Sequence, residues 1–244
     1  MSRPRFFVSP DHIAEGKVEI IGEDVRHIKD VLRLKVGDVI TVCDGRGLEC
    51  LGRIVGVSDS RVEARVLERR FIEDAGPHIT LFQGIPKGTK MDSIVQKSTE
   101  LGVSRIVPVM TERTVVRLDE RKRESKVSRW RRVTLEAAKQ SQRLTAPEIT
   151  EVVSWERALE LLLEFDLVLV FWEEEKERSV RQILQGIHPK SIAVVIGPEG
   201  GFSEGEVRAL KDIGGKLATL GKYILRTETA SPVALAIVLY ELST

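Results

Sequence analysis

The chain has 244 residues, 42% of them hydrophobic and 31% charged, with a formal net charge of +1. That balance describes a folded protein of one large or two smaller domains and argues against disorder. No apolar run reaches the roughly 18 residues needed to cross a bilayer, and the opening MSRPRFFVSPDH lacks a signal-like apolar core, so a soluble cytoplasmic protein is expected.

Residues 1–72 read as short strands. Segments 18–20, 38–44, 48–57 and 61–70 alternate or run β-branched between Gly and Asp. The turn Asp44-Gly45-Arg46-Gly47 predicts a hairpin, because glycine supplies the positive φ that such turns need. Residues 24–32 read as a helix. Together they predict a small β-barrel with one helix, ending where the pattern stops at Glu73-Asp74-Ala75-Gly76-Pro77.

From residue 77 onward strands alternate with helices. Residues 78–85 predict an apolar strand. Residues 90–101 predict a helix carrying Met91, Ile94, Val95 and Leu101, with Gly102 as its C-cap, and 105–110 another strand. A long basic amphipathic helix is expected over 120–144, then strands at 149–153, 167–171 and 192–196 with helices between. The last helix, 229–242, is apolar enough to be largely buried. The alternation predicts an α/β domain over residues 77–244, its parallel sheet covered on both faces.

Two segments carry chemistry. In AVVIGPEGGFSEGEV (193–207) a strand ends at Ile196, a glycine loop follows, and Ser203 with Glu206 forms a capping box. Such a loop lets backbone amides and carbonyls approach a ligand, and it lies at the carboxyl end of a parallel strand, where open α/β sheets bind ligands. A tight strand-to-helix turn is the plainer reading. In LGKYILRTETASPVAL (220–235) an apolar loop precedes Arg226-Thr227-Glu228-Thr229, charged residues beside an apolar helix that need partners if buried. A surface ion pair capping that helix would also explain them. No P-loop, no GxGxxG after an early strand, and no HExxH or Cys/His cluster is present, so neither a P-loop nucleotidase, a dinucleotide enzyme nor a metal site is expected. Cys43 and Cys50 form no disulfide scaffold or ligand set and read as reduced thiols. Between Thr111 and Ala146 there are 11 Lys or Arg against 5 Asp or Glu, which fits either a phosphate-binding surface or a solvated helix face.

GPEGGFSEGE together with LGKYILRTETA resembles the cofactor-binding half of the 16S rRNA uridine-N3 methyltransferase family. Residues 27–38 (HIKDVLRLKVGD), 87–109 and 129–149 match in the same order, so the resemblance spans both predicted domains. Ser231-Pro232 is the less typical stretch, although proline near a helix start is tolerable. The resemblance implies a C-terminal trefoil-knotted methyltransferase domain of the SPOUT type, an exception to the rule that chains are unknotted, and an N-terminal PUA-like RNA-binding barrel. It implies a homodimer, no metal, and S-adenosyl-L-methionine (SAM) as cofactor. The residues implied to hold SAM are Leu169 and Phe171, then Ile196, Gly197, Glu199, Gly200 and Gly201, then Leu220, Gly221, Ile224, Leu225 and Arg226. The implied partner is 16S rRNA, methylated at N3 of a decoding-region uridine, with the assembled small subunit as the favoured form.

Uridine N3 carries a proton that must be removed or its anion stabilised. Arg226 is the expected anion stabiliser, and Glu228 or Glu199 the expected acceptor. RNA contacts are expected from Arg26 and Arg33 and from Arg129, Arg132, Gln140 and Arg143. Gln140 and Arg143, about one turn apart, are placed to address a flipped nucleotide. His27 and Trp130 read as packing residues. Two other functions stay open: a knotted methyltransferase with a different RNA target, and an RNA-binding assembly factor without catalysis.

Overall fold

The computed structural model describes residues 3–71, 76–114 and 119–243; the expected boundary at 73–77 therefore lies partly outside the described residues, as does part of the basic stretch. Contacts group residues 1–75 with 138–146 as a first unit, and 76–137 with 147–244 as a second. Residues 138–146, expected with the second domain, thus go with the first.

The first unit holds β1 (Arg5–Phe7), β2 (Ile13–Ala14), β3 (Lys17–Ile21), β4 (Val39–Cys43), β5 (Leu48–Val57) and β6 (Arg61–Phe71). Their order is β1-β4-β5-β6-β3-β2, antiparallel except where β1 lies parallel to β4. Among the described residues no pair joins β1 to β2, so the expected barrel is an open sheet, bent by irregularities at Leu51/Gly52 and Ile54/Gly56. The predicted hairpin joins β4 to β5: Asp44 Oδ1 accepts from the amides of Arg46 (2.7 Å) and Leu48 (3.0 Å). The predicted helix spans as many residues as expected, one position earlier, and widens along its length. It comprises α1 (Glu23–Arg26) and one π-helical stretch, His27–Val31, after which Arg33 takes a φ of 54°. Phe6, Ile20, Val25, Ile28, Ile40, Val42 and Ile54 form the core. Burial pushes the thiol of Cys43 up to about 12 and raises that of Cys50, which leaves both unreactive.

The second unit contains β7 (His78–Gly84), α2 (Lys90–Leu101), β8 (Arg105–Met110), most of α3 (Glu120–Gln140), β9 (Glu148–Ile149), β10 (Val153–Ser154) and α4 (Trp155–Leu162). It continues with β11 (Leu167–Phe171), α5 (Val180–Leu184), β12 (Ser191–Ile196), α6 (Glu204–Asp212), β13 (Lys216–Ala218) and α7 (Thr227–Ser243). The sheet order is β10-β8-β7-β12-β11-β13, with β9 also on β8, and every pair is parallel. β9 and β10 replace the single strand expected at 149–153, while β1, β2 and β13 were not foreseen.

Alternation along the strands sorts their side chains between two cores. Ile79, Leu81, Leu167, Leu169, Ile192, Val194 and Ile196 face one side with Met91, Ile94, Trp130, Leu184, Leu235 and Val238. Phe82, Val168, Val170, Ala193 and Val195 face the other with Ala158, Leu162, Val207 and Leu210. Each fully buried aliphatic or aromatic side chain stabilises this arrangement by roughly 1.5–3 kcal/mol. Trp130, 1% exposed, is the core residue it was read to be.

α3 stops at Gln140, short of the expected 144. Arg143 N donates to Ala138 O (3.0 Å) and Gln142 N to Lys139 O (3.3 Å), with Gln142 at a φ of 58°. That is the Schellman pattern, with glutamine in the left-handed place that glycine usually fills. Within the first unit this segment is held by Lys139 Nζ on Asp24 (3.1 Å) and by Arg5, which reaches Glu49 (2.8 Å) and the carbonyls of Gln142 and Arg143. In α7, Pro232 lies inside the helix rather than in its first turn, and having no N–H it leaves the Glu228 carbonyl without its usual donor.

Candidate functional site

Register places four strand ends in one row. Gln83 pairs with Ile196, Ile196 with Phe171, and Phe171 with Ala218. The glycine loop and the 219–226 loop therefore leave the sheet from its carboxyl edge. This is where parallel sheets leave a crevice for ligands.

A buried polar network ties the row together. Gln83, fully buried at the end of β7, donates through Nε2 to Thr227 Oγ1 (3.1 Å) and to the Gly84 carbonyl (2.9 Å). Thr227 Oγ1 donates to the Gly197 carbonyl (2.8 Å). Ser231 Oγ lies within bonding distance of both Gln83 Oε1 and the Thr227 carbonyl. Three sequence-distant segments are thus fixed together with their polar groups satisfied, as burial demands. Gln83 was not singled out from sequence, since an amide at a strand end gives no local signal of so distant a partner, and Ser231 was noted only as a less typical position.

The glycine loop is closely packed. A Cβ on Gly84 would lie 2.5 Å from Pro198 Cδ and 2.7 Å from its nitrogen, and one on Gly201, whose φ is +65°, would lie 2.1 Å from Glu173 Oε1. Arg113 Nη1 donates to the Gly200 carbonyl (2.7 Å). The predicted capping box is present: Ser203 Oγ accepts from Glu206 N, and Glu206 Oε2 accepts from Ser203 N (2.8 Å). Glu112 reinforces it, accepting from Ser203 Oγ (2.6 Å) while its own amide donates to Glu206 Oε1 (2.8 Å).

Charged side chains gather beside this loop. Both oxygens of Glu199 accept from the Lys87 amide (3.1 and 3.2 Å), and Lys90 Nζ lies 2.8 Å from Glu199 Oε1 and 3.7 Å from Glu228 Oε2. Burial pushes the Glu199 carboxyl up, but the hydrogen bond from Lys90, its own amide and the Lys87 amide outweigh that and hold it below the ordinary range. Lys90 is raised in turn, chiefly by its bond to Glu199. Glu228 Oε2 is buried and has no hydrogen-bond partner among the described residues. Lys90, too, was missed from sequence, where it read as the first residue of a helix.

The later loop is more open. Thr219 N donates to the Arg178 carbonyl (2.9 Å), and Gly221 takes a φ of 110° with open space where a side chain would be. Tyr223 and Ile224 are 75% and 82% exposed, a high value for apolar side chains next to buried strands. Leu220 and Leu225 are half-buried; Arg226 is exposed, and its carbonyl starts α7 by accepting from Thr229 N (2.8 Å) and Ala230 N (2.7 Å). Among the strand residues, Leu169 is fully buried in a core, whereas Phe171 and Ile196 are strand-terminal and 7% and 3% exposed.

The residues expected on RNA divide between the two units. Arg26 and Arg33 are exposed in the first unit, as is Gln140, while Arg143 is half-buried with Nη2 3.5 Å from Thr145 Oγ1. In the second unit Arg132 is exposed and Arg129 is paired with Asp92 at 2.7 Å. His27 is exposed and edge-on to Phe6 at 6.4 Å. A cleft of about 850 Å³ opens beside β13 between Glu175, Arg178, Lys211 and Lys216, yet it includes none of the expected site residues. The strand-end row is the better-supported site, because its polar network is buried and convergent. Among the described residues no cluster of His, Cys, Asp or Glu is placed to hold a metal, and no helix is long and apolar enough to cross a membrane.

Known proteins resemble the chain along most of its length. An RNA methyltransferase domain family matches residues 74–239, and an RNA methyltransferase PUA domain family matches residues 20–67. The ribosomal RNA small subunit methyltransferase E of Bacillus subtilis is 37% identical over 91% of this chain and 89% of its own. A structure of the Neisseria gonorrhoeae protein of that name, bound to S-adenosyl methionine, is 32% identical with a TM-score of 0.82 and covers 96% of each chain. A Legionella pneumophila chain solved with bound cofactor SAM is 30% identical with a TM-score of 0.88 over 98% of each.

Proposed function

The chain belongs to the ribosomal RNA small subunit methyltransferase E family, and on that premise we propose that it transfers a methyl group from SAM to N3 of a uridine in the decoding region of 16S rRNA. The observation that carries this reading is the convergence of the glycine loop, the 219–226 loop and Gln83 at the carboxyl edge of the parallel sheet.

The residues present fit SAM. Backbone groups of Gly197, Gly200, Gly201 and Gly221, with Leu220, Ile224 and Leu225, offer an apolar and backbone-polar bed for an adenine. Phe171 and Ile196 close its strand side, with Leu169 behind them. Gly221 has open space where a side chain would be, which leaves this bed uncovered on that side. SAM, when bound, supplies an electrophilic methyl group on a sulfonium.

The chain's own residues then have three tasks. The loops orient the methyl group, and orientation alone accounts for a large part of such a rate. Arg226, exposed at the mouth of α7, stabilises the negative charge on the uracil oxygens. Glu228 or Glu199 takes the N3 proton. Residues 77–244 form the catalytic domain in this reading, and 1–72 the PUA-like RNA-binding domain, with Arg26, Arg33, Arg129, Arg132, Gln140 and Arg143 on the RNA. The return of the chain from edge strand β13 to pack α7 on β12 and α2 supports a SPOUT-type trefoil knot. The protein works as a cytoplasmic homodimer without metal, on the assembled small subunit.

The test is transfer from labelled SAM to small subunits lacking the modification, with mass-spectrometric mapping of the product. One N3-methyluridine in the decoding region is expected. A methyl group on another nucleotide or atom moves the target, and SAM binding with no transfer to any RNA leaves a non-catalytic RNA-binding protein.

A further inference from the structure

We propose that Lys90 divides the labour of the two carboxylates beside it, binding Glu199 into a structural latch and leaving Glu228 as the proton acceptor for the base. The assignment deepens the methyltransferase reading and rests on it.

The latch is visible in the bonding. Glu199 uses both oxygens on the Lys87 amide and one of them again on Lys90 Nζ, so the glycine loop is tied to the start of α2 from two sides. A carboxylate at that place also meets the positive end of α2, which has no side-chain cap of its own at Thr89. With its lone pairs so engaged, Glu199 is a poor base.

Glu228 has the opposite character. It stands in the first turn of α7, one residue from the Thr227 hydroxyl that joins the buried network. Its Oε2 is shielded from solvent, unbonded, and 3.7 Å from Lys90 Nζ, close enough for attraction but beyond hydrogen-bond distance. An unbonded buried carboxylate oxygen is costly, and a donor arriving with the substrate relieves that cost. Charged neighbours are few. Lys90 reaches it from α2 and also holds Glu199 of the glycine loop, and Arg226 precedes it by two residues; β12 carries no charged residue. Arg181 of α5 is engaged by Glu241 at the far end of α7, and Asp92 of α2 by Arg129.

The step balances without a further reagent. The N3–H bond breaks and its proton goes to Glu228 Oε2. The N3 electron pair bonds the methyl carbon, the carbon–sulfur bond breaks, and a neutral thioether departs. The proton is later lost to water. Lys90 touches neither reacting atom and is a positioning residue.

Four variants test the division: E228Q, E199Q, K90M and K90R. Measured on small subunits with labelled SAM, E228Q is expected to lose 100-fold or more in kcat, with SAM binding and melting temperature unchanged. E199Q is expected to melt lower and bind SAM more weakly, yet to keep an acidic limb in its pH–rate profile, moved if anything to lower pH because a like charge beside Glu228 is lost. K90M removes a positive charge beside Glu228, so that acidic limb moves to higher pH, and K90R restores it. Weaker SAM binding by E228Q would mean that Oε2 serves the cofactor rather than the base, which overturns the assignment. So would an acidic limb abolished in E199Q but retained in E228Q, or a wild-type product methylated at an atom without a ring N–H. If the wild type transfers nothing, the functional reading fails separately, and the melts still judge the latch. A loss of stability in E228Q but not in E199Q would overturn it.

Discussion

Gln83 Nε2 donates to Thr227 Oγ1 at 3.1 Å across 144 residues of sequence, and the same hydroxyl donates to the Gly197 carbonyl at 2.8 Å. One threonine therefore fixes the glycine loop, the end of β7 and the start of α7 in a single geometry.

Thr227→Val keeps the shape and removes the hydroxyl. The Gly197 carbonyl loses a donor and Gln83 an acceptor, both buried, at a cost of about 1–3 kcal/mol. Thermal unfolding is expected to shift down by several degrees, and calorimetry to show weaker SAM binding. An unchanged melting temperature would mean that the network does not hold the loop.

Gly84→Ala is the sharpest steric test. Its Cβ would lie 2.5 Å from the Pro198 ring and 2.7 Å from its nitrogen, neither of which can rotate aside. The glycine loop must shift, so SAM affinity measured by titration is expected to fall at least tenfold. Gly88→Ala, at a φ of +65° but in open space, bears only the conformational cost and serves as the control.

Gln142→Gly should stabilise the protein. The left-handed φ of 58° costs an L-residue about 1 kcal/mol, partly offset by the greater freedom of glycine in the unfolded chain. A net gain of about 0.5 kcal/mol, or one to two degrees in melting temperature, is expected. A lower melting temperature would show that the glutamine side chain supplies contacts exceeding the strain.

Ser98→Ala should stabilise as well. The hydroxyl is fully buried in α2 and has no hydrogen-bond partner among the described residues. Removing it relieves a desolvation cost of about 1 kcal/mol and creates almost no cavity. Denaturant titration would read this as a higher midpoint with the same slope.

Acid sensitivity follows from Glu199. Its carboxyl titrates below the ordinary 4.5 in the folded chain, so the folded state binds fewer protons than the unfolded one near that pH. The contribution is complete above about pH 5 and is lost as pH falls through the folded value. E199Q should therefore be less stable than wild type at pH 7 and converge with it as pH falls below the ordinary carboxylate range, as followed by urea unfolding at each pH.

Local signals carried much of the fold. The spans of β5, β8, β11 and α2 could be read from alternation, helical spacing and Gly102 because burial acts on each residue in turn. β13 was missed because three residues, Lys216–Ala218, are too few to show a period, and they are a strand only because β11 offers an edge. β9 and β10 were read as one strand for a related reason. Both pair with β8, and nothing local marks the break between them. In the site, the glycine loop and Glu228 were legible as motifs. Gln83 and Lys90 were not, since their importance lies in partners 144 and 109 residues away.

The grouping of residues 138–146 with 1–75 makes the chain leave the first unit, return to it and leave again. Synthesis delivers that unit in two instalments, with the whole of 76–137 between them. Arg5, Asp24 and Glu49 are made early, but the carbonyls of Gln142 and Arg143 and the Lys139 ammonium arrive much later. Closing so long a loop costs entropy that no local contact repays at once. The N-terminal unit is therefore the first begun and not the first finished, and its final locking waits on the helix that precedes residue 141.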